Sequence, residues 1–291
     1  MPFIRVGTEN SGPIRLYYED HGSGNPTVLI HGFPLSGKSW EKQVLALLES
    51  GRRVITYDRR GFGGSTKPAL GYDYDTFASD LDKLMTKLDL RDAALVGFSM
   101  GGGEVARYLS TYGSERVNKA VFISSLPPYL LKTADNPDGV EEGVFDAMIS
   151  SINEDRPAFL SKFLADFFNM DLLGGKRVSE EAFHFSWNIA ANASPKGTMD
   201  CVSSWLTDFR EDFQSIQVPV LIIHGDSDRI LPISATGNPL HKSLKDSRMV
   251  VVEDGPHGLI WTHADKVNPE LINFLVTDQS MQQDRGMRRA A

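Results

Sequence analysis

Residues 93–105, Ala-Ala-Leu-Val-Gly-Phe-Ser-Met-Gly-Gly-Gly-Glu-Val, limit what this chain can fold into more than any other stretch. They read as a short apolar strand from Ala93 to Phe98, an abrupt serine flanked by glycines, and then a helix. Gly97-Phe98-Ser99-Met100-Gly101 matches the strand-to-helix elbow that presents a nucleophilic serine. Such a turn is tight enough to bring the residues two before and two after the serine almost into contact. Only glycine has no side chain to collide there. The hydroxyl is lifted above the sheet, at the start of a helix whose free N–H groups face negative charge. The bland alternative is an inert serine in a glycine-rich turn, so the rest of the chain must supply its partners.

The flanking sequence alternates strand and helix. Phe3 to Thr8 and Ile14 to His21 suggest a hairpin around Asn10, Gly12 and Pro13. Pro26 to His31, Arg53 to Tyr57 and Lys119 to Ser124 are short apolar runs of the kind buried on both faces of a parallel sheet. Helical spacing marks Ser39 to Glu49. It also marks the stretch from Asp75, where Phe77, Leu81, Leu84, Met85 and Leu88 share a face. The alternation stops after Ser125 and resumes at Val218–His224. A helix near 234–244, a strand from Arg248 to Glu253 and a last helix from about Trp261 to Val276 follow. The expectation is an α/β fold with a mostly parallel central sheet flanked by helices. Its core spans 1–125 and 216–278, and a helical lid is inserted at 126–215. That insert is rich in aromatics, among them Phe159, Phe163, Phe167, Phe168, Trp187 and Trp205. Most should be core, with a minority lining a pocket above Ser99. The tail, 279–291, is polar and reads as a frayed end.

Composition removes several function classes. A net charge of −8 argues against nucleic acid as a partner. The single cysteine, Cys201, excludes a disulfide framework and a thiolate zinc site, and it reads as a packed lid residue. No histidine spacing supports a metal, and no cofactor motif stands out. Met1-Pro2-Phe3-Ile4-Arg5 is not a charged-then-apolar leader, and no apolar run is long enough for a membrane span, so a cytoplasmic protein is expected.

A serine needs a base, and a histidine serves when a carboxylate holds its other nitrogen. His257 lies in a Gly-flanked loop after the last strand, where open α/β sheets place their chemistry. His31 and His224 each end a buried strand and suit loop-orienting hydrogen bonds. His21, His184, His241 and His263 suit surface or helix-face positions. For the acid, Asp228 sits where the loop after Val218–His224 turns back. Asp226 is the alternative, unless it forms a turn. Asp58, beside Arg59 and Arg60, suggests a structural ion pair. The order Ser99, Asp228, His257 is the one this fold uses. Backbone N–H groups of Met100, after the nucleophile, and Phe33, in the loop after the third strand, would bind the oxyanion. Pro34 has no N–H and shapes that loop.

Together, His31-Gly32-Phe33-Pro34, Tyr57-Asp58-Arg59-Arg60-Gly61-Phe62-Gly63, the elbow, Asp228-Arg229-Ile230-Leu231-Pro232 and Pro256-His257-Gly258-Leu259 resemble the cofactor-free (non-haem) haloperoxidases of the α/β-hydrolase superfamily. Arylesterases, perhydrolases and a γ-lactamase are similar to these. The resemblance runs from about residue 3 to 276. It implies an esterase acting on small acyl groups, whose acyl-enzyme is attacked by water or by hydrogen peroxide. Peroxide would give a peracid that oxidises halide without haem or metal. Pro34 matches the proline that peroxide-using members carry beside the oxyanion loop. Members often form homo-oligomers, so a homo-oligomer is an expectation too. The same triad also suits a lactamase or lactonase, and a non-catalytic small-molecule receptor is the remote alternative.

Overall fold

Strands form where β-branched and apolar residues run together without a helical period, and the sheet grows from these runs. The computed structural model describes residues 2–277, so the tail expected at 279–291 lies outside the described residues. β1 (Phe3–Glu9) and β2 (Gly12–His21) pair antiparallel as the expected hairpin, and Asn10 turns it with φ 50°. β3 (Pro26–Ile30), β4 (Arg53–Tyr57), β5 (Ala93–Phe98), β6 (Val117–Ile123), β7 (Val220–Gly225) and β8 (Ser247–Val252) run parallel to one another. The order across the sheet is β1-β2-β4-β3-β5-β6-β7-β8, with β2 alone reversed. β3 and β5 are buried along their whole length. Each large side chain removed from water there, such as Leu95 or Phe98, contributes roughly 1.5–3 kcal/mol.

The helices cover both faces because parallel crossovers are right-handed. α1 (Glu41–Glu49) carries the chain from β3 outward to β4. α2 (Tyr74–Lys87) brings it back past β3 to β5, over the opposite face. α2 begins at Asp73, whose side chain accepts the Thr76 N–H at 2.8 Å. It packs on α3 (Met100–Tyr112), the helix of the elbow.

Between β6 and β7 the chain forms α4 (Glu142–Phe168), α5 (Met170–Leu173), α6 (Glu180–Ala191) and α7 (Pro195–Ser204). Only isolated bridges occur there among the described residues, for example Leu131 with Val140. α4 kinks at Asp155 (φ −153°, ψ 87°), since Pro157 lacks the N–H a continuous helix needs. The Asp155 carboxylate then accepts the Ala158 N–H at 3.0 Å and restarts the helix. α8 (Gly237–Ser243) links β7 to β8. α9 (Leu259–Thr262) and α10 (Ala264–Val276) close the core, with α10 packed on α1. His263, expected at a surface or helix-face position, is buried at the α9–α10 junction, 2.8 Å from the Thr262 hydroxyl. The chain changes direction there and turns that ring inward.

Candidate active site

The sheet order reverses beside β3: β4 lies on one side and β5 on the other. Loops leaving the carboxyl ends of such a strand pair diverge and leave a crevice, where open α/β sheets bind ligands. Ser99 follows β5 in that crevice, with φ 54° and ψ −121°. A non-glycine residue holds this conformation only when its surroundings enforce it. A Cβ on Gly97 would sit 2.6 Å from the Gly101 carbonyl oxygen, which is the close approach inferred for the elbow.

Three loops bring the sequence candidates together. His257 Nε2 is 2.8 Å from Ser99 Oγ. His257 Nδ1 is 2.8 Å from Asp228 Oδ2. An ionised carboxylate only accepts, so Nδ1 carries the proton and Nε2 faces the hydroxyl as an acceptor. The other oxygen, Asp228 Oδ1, accepts the backbone N–H groups of Ile230 at 2.9 Å and Leu231 at 2.8 Å. Burial opposes ionisation of Asp228. The adjacent His257, together with hydrogen bonds from His224 and His257, outweighs it and holds the carboxyl well below the usual carboxylate range. Asp226 is exposed and 3.1 Å from the Ser227 hydroxyl, so it takes no part in this chain of bonds.

Aromatic rings pack around the histidine. Phe98 and Phe167 flank the His257 ring at 5.3 and 4.9 Å between centroids. The Gly258 N–H donates to the Phe167 carbonyl at 2.8 Å, which ties the histidine loop to α4. Asn169 donates to the Ser227 carbonyl at 2.9 Å and ties the aspartate loop to the same segment.

Above Ser99 is a cavity of about 30 Å³. Phe33, Leu126, Phe145, Phe163 and Trp205 line it, with Leu231 of the aspartate loop. Of the six lid aromatics singled out by sequence, Phe163 and Trp205 line it. Phe159, Phe167 and Phe168 are core, and Trp187 is half-buried on α6. Phe145, Leu126 and Leu130 gave no signal in advance, since they lie in the insert with no periodicity that distinguishes lining from core.

The backbone N–H groups of Met100 and Phe33 are both buried, and neither donates to any group among the described residues. Buried orphan donors are rare in folded chains, and two beside one serine make a site ready for negative charge.

Two further expectations need correction or extension. Asp58 does not pair with Arg59 or Arg60. Its carboxylate accepts the backbone N–H groups of Gly37 and Gly64, both at 2.7 Å. Arg59 pairs with Glu104 at 2.8 Å and Arg60 with Asp80 at 2.7 Å. Both arginines point into the helical layer of α2 and α3 while Asp58 faces its own loop, so sequence adjacency misled. His31 and His224 do orient loops: His31 Nδ1 is 2.9 Å from the Gly32 carbonyl, and His224 Nε2 is 2.9 Å from the Leu231 carbonyl. Among the described residues no group of side chains is arranged to hold a metal ion, and no helix is long and apolar enough to cross a membrane.

Known proteins share this sequence and fold. A family model described as the alpha/beta hydrolase fold matches residues 25–264. A Synechocystis sp. protein with a provisional non-haem chloroperoxidase name is 62% identical over 275 residues, covering 94% of this chain and 100% of that protein. The bifunctional esterase/perhydrolase of Acinetobacter calcoaceticus is 35% identical over 265 residues, covering 90% of this chain and 96% of its own. The crystal structure of a bromoperoxidase from Bacillus anthracis superposes with a TM-score of 0.90 at 49% identity, covering 94% of this chain and 99% of that one.

Proposed function

Since the chain belongs to the non-haem haloperoxidase family of the α/β-hydrolase superfamily, an enzyme family with esterase and perhydrolase activity, we propose that Ser99, His257 and Asp228 are its catalytic triad. The observation that carries this reading is the unbroken chain of two 2.8 Å hydrogen bonds from Ser99 through His257 to Asp228. Ser99 Oγ attacks the ester carbonyl carbon while its proton passes to His257 Nε2. The carbonyl electron pair moves onto oxygen, where the N–H groups of Met100 and Phe33 receive the charge. Collapse expels the alcohol, which takes the proton from His257, and the acyl group remains on Ser99. Asp228 stabilises the imidazolium that forms between these steps and stays ionised.

Water, deprotonated by His257, then releases a carboxylic acid. Hydrogen peroxide attacking at the same carbon releases a peracid instead. The peracid oxidises bromide or chloride, giving hypohalous acid and the carboxylate, which after taking up a proton re-acylates Ser99 with release of water, so the acyl group cycles. The cavity of about 30 Å³ is small. A single water needs on the order of 10–15 Å³ by this measure, so the space suits a short acyl chain such as acetyl or propionyl. The helical insertion at 126–215 serves as the lid that closes over that chain, and the two flanking segments form the catalytic core. The homo-oligomer carried over from the family is checked by light scattering of the purified chain.

The test pairs two assays. Hydrolysis of a small aryl acetate should be lost in Ser99→Ala; wild-type turnover in that variant ends the proposal. In acetate buffer with peroxide and bromide, the wild type should brominate a β-diketone. Ester hydrolysis without bromination would leave an esterase that excludes peroxide.

A further inference from the structure

We propose that the buried pair Arg59–Glu104 sets the spacing between the two halves of the oxyanion hole, so that both are positioning residues for catalysis. The inference rests on the assignment of Met100 and Phe33 as the oxyanion donors. These donors stand on separate elements. The Met100 N–H opens α3, and the Phe33 N–H sits in the loop after β3. Nothing in the covalent chain ties one to the other.

The loop donor is aimed through its own peptide plane. In a trans peptide the C=O and the following N–H point in opposite directions, so fixing the Gly32 carbonyl aims the Phe33 N–H. The Gly32 carbonyl accepts from His31 Nδ1 at 2.9 Å and from the Leu35 N–H at 3.0 Å. Arg59 in turn holds His31 twice. Its backbone N–H donates to His31 Nε2 at 2.9 Å, and its Nη2 donates to the His31 carbonyl at 3.0 Å. Acceptance at Nε2 requires a neutral ring, and Nδ1 then carries the proton that it donates. Burial and the nearby Arg59 charge keep His31 neutral by lowering its pKa well below the usual value.

The connection to α3 is Glu104. Its Oε2 accepts from Arg59 Nε at 2.8 Å, and its Oε1 accepts the Tyr57 hydroxyl. Glu104 lies one helical turn beyond Met100 on the same rigid helix, so the guanidinium is referenced to the element that carries the other donor. Both side chains are buried, Arg59 to 1% exposure and Glu104 to 0%. Arg59 Nη1 has no hydrogen-bond partner. A buried ion pair left incompletely satisfied is a poor device for stability, since desolvation offsets the attraction. Its link between His31, which holds the loop donor's peptide, and α3, which carries the other donor, accounts for the arrangement better.

The test compares wild type, Glu104→Gln and the double variant Arg59→Met/Glu104→Met. Replacing a buried pair by apolar residues of similar volume often preserves stability, so the double variant carries the test if Glu104→Gln fails to fold. The probe is an aryl trifluoromethyl ketone. Its carbonyl carbon bonds Ser99 Oγ, the serine proton passes to His257, and the hemiketal oxygen sits as an anion in the hole. Aryl acetate turnover should fall roughly 10- to 100-fold in kcat with KM within about threefold. Misaiming a donor costs less than deleting one, which costs on the order of 10²–10³. The ketone inhibition constant should rise in step with the loss in kcat/KM, and the ¹⁹F titration of the hemiketal oxyanion should move to higher pH. A folded variant with kcat within about threefold of wild type overturns the proposal. So does a loss confined to KM, or one that leaves the oxyanion titration unmoved. A wild-type enzyme that forms no hemiketal, or a Ser99→Ala variant that keeps turnover, overturns the triad assignment and this inference with it.

Discussion

Asp228→Asn isolates one proton. The two carboxylate oxygens of Asp228 have different partners: Oδ1 accepts two backbone N–H groups at 2.8 and 2.9 Å, and Oδ2 faces His257 Nδ1 at 2.8 Å. An asparagine must therefore keep its amide oxygen toward Ile230 and Leu231. Flipping the amide would sacrifice two hydrogen bonds and point NH₂ at two donors, at a cost of about 3 kcal/mol or more. The NH₂ thus faces His257 and forces Nδ1 to accept. The ring proton moves to Nε2, where it confronts the Ser99 hydroxyl, and the base is lost. A penalty of that size limits the productive orientation to less than about one molecule in a hundred, so kcat should fall at least about 10²-fold. Loss of the imidazolium's counter-charge extends this toward about 10⁴-fold, or roughly 5.4 kcal/mol of transition-state stabilisation. The assay is aryl acetate hydrolysis across pH, with unfolding in urea as the control for folding. KM should stay close to wild type, because the cavity lining is untouched. A loss in kcat under tenfold would refute the tautomer argument.

The pH dependence of stability follows from the same residue. The Asp228 carboxyl is depressed in the folded chain, so its contribution is whole above the ordinary carboxylate range near about 4 and lost as pH falls below it. The stability advantage of wild type over Asp228→Asn in urea should therefore shrink on acidification; an advantage that grows toward low pH contradicts the sign. Gly97→Ala drives a Cβ to 2.6 Å from the Gly101 oxygen and 2.7 Å from Gly102 Cα, both rigid backbone. It should cost about 2 kcal/mol or more, with activity lost alongside, and unchanged urea midpoints would discount the steric account of the elbow. Phe145→Ala empties one wall of the cavity, where the side chain is 3% exposed. The octanoate-to-acetate ratio of kcat/KM should rise about tenfold or more, against a stability loss of about 3–5 kcal/mol. An unchanged ratio would mean that acyl length is set elsewhere.

Much of this site could be read in the chain because each participant closes its own strand. Ser99, Asp228 and His257 follow β5, β7 and β8 respectively, and a parallel sheet delivers all strand ends to one edge. The glycines at the elbow are equally local: the clash they avoid involves residues four apart in sequence. Asp228 and Asp226 differed in sequence only by position in a loop. The choice depended on which carboxylate the loop turned inward, and two backbone N–H groups on Oδ1 decided it.

The rest depends on separations that no local pattern encodes. Arg59 next to Asp58 invites a pairing by adjacency, yet its partner is Glu104, brought there because β5 and the α3 that follows it lie across β3 from β4. His263 is buried by the angle between α9 and α10, which a helical period does not fix. The cavity wall mixes Phe33 of the core with Phe145 and Phe163, on either side of the α4 kink, and Trp205 at the end of α7. Sequence alone determined the strand–serine–helix turn, the alternating core and the set of groups available for chemistry, since steric and periodic constraints act over a few residues. Tertiary structure decided which carboxylate meets His257, which carboxylate holds Arg59 and which side chains line the cavity beside Ser99. Those outcomes depend on strand order and packing across the whole sheet.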